Sequence, residues 1–167
     1  MDAPNFLRTT ELRKYLQTVF NVTTGHDHDG TNSALIASTN PHIQYFQVED
    51  LSAGGDIADR VLLECPTGYA ITLTSAKIIS QGTAAGIDDS NTCVVLLENG
   101  TSNAIVSKTY DADPAFPAAG VVESLGTLSA TYKALAAGDL LTLSVTNGTA
   151  ANTPLFAIQI SYTIAAV

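Results

Sequence analysis

The densest group of residues able to do chemistry is Gly25-His26-Asp27-His28-Asp29-Gly30-Thr31-Asn32-Ser33. Calcium is one possibility, because Asp27-His28-Asp29-Gly30 overlays part of the D-x-[DN]-x-[DN]-G loop. With Gly30 as the turn glycine, however, the first ligand position falls on Gly25 and the bidentate acid position on Ile36, and neither can coordinate. A transition metal is a second. His26 and His28 point the same way if the backbone is extended. Two imidazoles per chain do not close a site, but three chains around an axis would supply six, an octahedral set suited to a first-row metal. A turn is the third and simplest reading. Asp29-Gly30 tolerates positive φ, and Asn32 and Ser33 can bond nearby backbone. His26 and His28 then hydrogen-bond locally and no metal is required.

The rest of the chain offers little for catalysis. The only histidines are His26, His28 and His42, all close to the N-terminal end, and a nucleophile needs a base within hydrogen-bond reach. No G-x-S-x-G is present. Gly82-Thr83-Ala84-Ala85-Gly86 lacks the Lys-Ser/Thr of a phosphate cradle. Asp88-Asp89 and the pair Asp111 and Asp113 read as solvated loop acids before they read as the acid and base of a glycosidase. Cys65 and Cys93 sit far apart within apolar stretches, so buried free thiols are expected. The expectation is a protein that is not an enzyme.

Charge narrows the partners. The net charge is −9 and only 14% of the 167 residues are charged, well below the usual quarter. Nucleic acid is not expected as a direct partner. Residues 1–14 carry Arg8, Arg13 and Lys14 against Asp2 and Glu11, a net of +1, which leaves −10 for the remainder. Such low charge suggests surface hidden against copies of the chain or against a larger partner. No basic region followed by an apolar run opens the chain, and no run of 18 apolar residues spans a membrane. Asn21-Val-Thr, Asn99-Gly-Thr and Asn147-Gly-Thr match the glycosylation acceptor but read as turn chemistry.

The elements that would position these groups fall into two parts, residues 1–42 and residues 43–167. In the first, Thr9-Thr10-Glu11 makes a helix start. Leu12, Tyr15, Leu16, Val19 and Phe20 then follow at i, i+3, i+4, i+7 and i+8, one apolar face of a helix. Val22-Thr23-Thr24-Gly25 should end it. A helix of about a dozen residues is marginal alone, so its apolar face must dock, either on its own body or on a partner. The second part reads as short β-branched strands separated by turn signals: Ile43–Val48, Arg60–Cys65, Tyr69–Ile79, Thr92–Glu98, Ala104–Tyr110, Val121–Leu128, Asp139–Thr146 and Leu155–Ile164. Glu98-Asn99-Gly100-Thr101 is a hairpin turn. The fold class expected is mostly β, an antiparallel β-sandwich of jelly-roll-like type with a short N-terminal helical appendage.

The run from Leu12-Arg-Lys-Tyr-Leu through Val-Phe-Asn-Val-Thr-Thr-Gly-His-Asp-His-Asp-Gly-Thr-Asn-Ser-Ala is similar to the N-terminal part of bacteriophage head-fibre and related virion appendage proteins. These carry a short helix followed by G-H-x-H-D-G-x-x-S, which is matched here by Gly25, His26, His28, Asp29, Gly30 and Ser33. The likeness covers roughly residues 10–37. The chain departs from long fibres in having one copy of the motif and no stalk repeats. The resemblance implies a non-enzymatic capsid decoration protein or head fibre on the outer capsid surface. It would be a homotrimer whose N-terminal segment, through Leu12, Tyr15, Leu16, Val19 and Phe20, binds the major capsid protein and stiffens the shell. The alternative is an appendage that binds host-surface glycan, for which Tyr110, Phe116 and Tyr132 would form the stacking platform.

Overall fold

The computed structural model describes residues 41–100 and 102–167. Among these residues nine strands follow one another in chain order: β1 (His42–Val48), β2 (Ile57–Glu64), β3 (Tyr69–Ser80), β4 (Cys93–Asn99), β5 (Asn103–Tyr110), β6 (Val122–Ser124), β7 (Ala134–Leu135), β8 (Leu140–Asn147) and β9 (Phe156–Ala166). They form two antiparallel sheets. The first has the order β1-β9-β3-β6, with β7 also pairing β3, and the second has the order β2-β8-β4-β5.

The pairing is nested. The first strand pairs with the last, the second with the last but one, and β4 with β5 through the hairpin. Folded over on itself, such a nest gives two facing sheets with jelly-roll-like connectivity. Its cause is visible in the alternation of side chains. Along β3, Ile71, Leu73, Ala76 and Ile78 turn inward, and along β8, Leu141, Leu143 and Val145 do the same. Each row has period two, broken on β3 by a register shift between Leu73 and Ser75. Phe156, Ile158 and Ile160 of β9 meet them from the same sheet as β3, and Cys93, Val95 and Leu97 of β4 from the opposite one.

Turns close the nest where the sequence permits left-handed backbone. Gly100 has φ of 72° after the last residue of β4, and Gly138 has φ of 84° before β8. Gly138 also donates its N–H to the Cys65 carbonyl at 2.8 Å, which fixes the end of β2 beside the start of β8. At one open side of the sandwich, Lys108 of β5 pairs with Glu123 of β6 and reaches the Ser124 carbonyl. This contact ties the edges of the two sheets together.

Three expectations are refined. The strand expected over Val121–Leu128 shrinks to Val122–Ser124, because Gly126 takes φ of 123° and the chain leaves the sheet. Leu125 is then buried under the sandwich edge and its N–H bonds the Ala76 carbonyl at 3.0 Å. β2 starts at Ile57, three residues earlier than Arg60, through an irregular stretch in which Asp59 has φ of 47°. β7 is added. The expected N-terminal helix lies outside the described residues.

Candidate functional site

The carboxylate pairs gather at one end of the sandwich, on the loops after β3 and β5. Their own backbone occupies them. One oxygen of Asp88 accepts the N–H groups of Ser90 at 2.8 Å and Asn91 at 2.9 Å. These bonds, the Ser90 N–H foremost, hold its carboxyl below the usual value. Asp89 accepts the Ala112 N–H at 3.2 Å, and Asp111 accepts the Asp113 N–H at 2.8 Å. Asp88, Asp89 and Asp111 therefore each shape a turn or bridge two loops. Among the described residues no three His, Cys, Asp or Glu side chains converge as a metal group.

The same loops enclose a cleft of about 180 Å³ lined by Thr83, Ala84, Gly86, Ile87, Asp111 and Phe116, with Ala115, Pro117 and Ala118. Its walls are stitched together. Ala85 and Asn152 exchange two backbone bonds, of 3.1 and 2.8 Å, and Asn91 accepts the Ala150 N–H at 3.1 Å. Gly86 has φ of 69°, and a Cβ there would lie 2.1 Å from the Ala150 carbonyl oxygen. The cleft is smaller than the roughly 300 Å³ at which ligand pockets begin. Its polar contacts are one carboxylate and one hydroxyl, enough to hold a group of a few atoms. Sequence reasoning named both loops but did not bring them together. The signal was faint: two small-residue loops, each following a long inward-facing strand.

The proposed aromatic platform is corrected. Tyr110 is fully buried and Phe116 nearly so. Their rings meet edge to face at 5.0 Å, and Phe116 meets Phe156 at 5.7 Å. These are core contacts, and of the three only Tyr132 is exposed. Burial, with Glu123 and Cys93 nearby, pushes the Tyr110 phenol above its ordinary range. Its hydroxyl has no hydrogen-bond partner among the described residues. Cys65 and Cys93 are free and buried, and burial raises the Cys93 thiol to about 12. Asn147, one of the glycosylation matches, is buried and donates to the Gly55 carbonyl at 3.1 Å, so turn and core chemistry claims it. His42 opens β1 and stacks on Tyr162 at 5.4 Å. His26 and His28, the motif residues Gly25, Asp27, Asp29, Gly30 and Ser33, and the helix face Leu12, Tyr15, Leu16, Val19 and Phe20 lie outside the described residues.

What remains is the outer surface of the sheets. Of the acids in residues 41–167, Glu49, Asp50, Asp56, Asp88, Asp89, Asp111, Asp113 and Asp139 lie between strands, and Asp59, Glu64, Glu98 and Glu123 lie on them. The register places Ile43, Tyr45 and Gln47 of β1 in rows with Ser161, Gln159 and Ala157 of β9, then Ser75, Lys77 and Ile79 of β3. Val122 and Ser124 of β6 extend the last two rows. This face carries one charge, Lys77, and no acid, although the chain as a whole is strongly acidic. Ile43, Tyr45 and Val122 on it are each more than half exposed. No family model matches the chain, and no curated protein matches it.

Proposed function

We propose that this protein is a non-enzymatic component of a bacteriophage particle, a capsid decoration protein or short head fibre. Its N-terminal segment attaches to the major capsid protein and its β-sandwich projects from the outer capsid surface. The observation that carries this reading is the helix-plus-GHDHDGTNS run that resembles head-fibre N-termini. It precedes a sandwich whose first sheet has an outer face free of acids. Such a body suits packing against other surfaces, and its fold class serves many roles, so the motif carries the specific part of the proposal. Three copies held at the N-terminal segments would bring His26 and His28 together in the number a divalent metal needs.

Host-surface glycan recognition is the second reading. It loses support with the burial of Tyr110 and Phe116, because sugars stack on exposed rings. Immunogold labelling of purified virions separates the two. Label spread over the shell is expected for decoration. Label confined to the tail would contradict it and move the protein to host recognition, with a glycan array as the next assay.

A further inference from the structure

Proteins protect the free edges of their sheets with charge, proline, bulges or short strands, because an exposed flat edge is a template for another strand. Three of the four edges here follow that rule. β2 carries two register shifts together with Asp59, Arg60 and Glu64. β5 carries a shift between its pairings with Leu97 and Glu98, and places Lys108 in an ion pair. β6 is three residues long.

The fourth edge is different. β1 is His42-Ile-Gln-Tyr-Phe-Gln-Val48, with no Asp, Glu, Lys, Arg or Pro. It pairs β9 over seven consecutive residues without a register shift, and among the described residues its other side meets no strand. Ile43 is 55% exposed and Tyr45 is 61% exposed. A short uncharged β-rich run of this kind is the composition that adds strands.

We infer that β1 is a self-association edge, pairing antiparallel with β1 of a second copy so that the first sheets of two protomers join into one. Charge selects the occupant. Residues 41–167 hold the four bases Arg60, Lys77, Lys108 and Lys133 against twelve acids, a net of −8. Two copies therefore repel through their loops. β1 and the outer face beside it carry no acid, so the bodies can approach there without opposing carboxylates. The strand is also compatible with itself. With Tyr45 on the two-fold axis, Tyr45 faces Tyr45, Ile43 faces Gln47 and Gln44 faces Phe46, each pair free of like charge. Such a contact is isologous and closes at two copies. It is independent of particle binding and of any gathering of chains by the N-terminal segments.

The test is the solution mass of the full chain, wild type against Tyr45→Lys, with Val61→Lys as the control. Val61 is 53% exposed but lies on the second sheet. Tyr45→Lys sets two ammonium groups face to face across the axis, and it should lower the mass at equal concentration to that of the assembly held by the N-terminal segments alone. Val61→Lys should leave the mass unchanged. Far-ultraviolet circular dichroism confirms that each variant is folded. In a second measurement, full-length Tyr45→Cys should give a two-chain disulfide under mild oxidation, because directly opposed Cβ atoms lie about 4.5–5.5 Å apart. The buried Cys65 and Cys93 contribute little background. Equal masses for wild type and Tyr45→Lys, or a Tyr45→Cys protein that stays single-chain, would overturn the inference.

Discussion

Tyr110→Phe should make this protein more stable. The Tyr110 ring is fully buried between Phe116 and the Lys108 ammonium, which lies 5.3 Å from its centroid, and its hydroxyl has no hydrogen-bond partner among the described residues. A buried hydroxyl without a partner costs about 1–3 kcal/mol of desolvation. Phenylalanine keeps the ring contacts and removes that cost. Against it stand a few lost dispersion contacts of the oxygen, each about 0.1–0.2 kcal/mol. The net gain is about 1 kcal/mol, or roughly 3–5 °C in Tm for a domain of this size. Differential scanning calorimetry at neutral pH reads it directly. The pH dependence adds a second reading. The folded-state pKa of Tyr110 is raised above its ordinary 10.0, so the unfolded chain loses this proton first. The contribution is intact below about pH 10 and is lost as pH rises further. The advantage of Phe over Tyr should therefore widen at alkaline pH. The wild type should already weaken above pH 9, where unfolded Cys93 ionises while the folded thiol waits until about 12. A Tm for Tyr110→Phe below that of the wild type would refute the reasoning and would mean that the hydroxyl has a partner.

Phe156→Ala should cost about 3–5 kcal/mol, because this fully buried ring sits at the start of β9 against Phe116. Urea titration should show the midpoint falling with the slope unchanged. Gly86→Ala should destabilise by about 1–3 kcal/mol, since φ of 69° and the Ala150 carbonyl both oppose a Cβ. Gly120→Ala provides the comparison, with a similar φ of 77° and open space around it. A larger loss at Gly86 than at Gly120, read by the same titration, would isolate the steric part.

The sandwich was legible wherever alternation was long. Tyr69–Ile79 and Asp139–Thr146 announced β3 and β8, and Asn99-Gly100 announced the hairpin, because a buried sheet face forces period two and a tight turn needs positive φ. Val121–Leu128 misled for a physical reason. Val121 and Val122 are exposed, and the buried Leu125 plugs the sandwich edge and does not extend a ladder. β7 was invisible because two residues carry no periodicity. The burial of Tyr110 is legible in the register of β5. Tyr110 lies four residues after inward-facing Val106 on β5, hence on the same face, and its partner across the ladder is buried Cys93. The meeting of the loop at 82–86 with that at 111–118 depends on strands nested across two sheets, which no local pattern encodes. The GHDHDGTNS motif and the helix face before it were legible only as sequence.

The most direct test of the function is co-sedimentation of the full-length protein with undecorated capsids of the same virus, wild type against Leu16→Asp with Phe20→Asp. These two residues occupy the apolar stripe of the expected N-terminal helix and lie outside the described residues. The wild type should pellet with the capsids and saturate. The double variant should stay in the supernatant with an unchanged melting transition. Equal pelleting of both proteins would contradict attachment through this helix, and failure of the wild type to pellet would contradict capsid decoration itself.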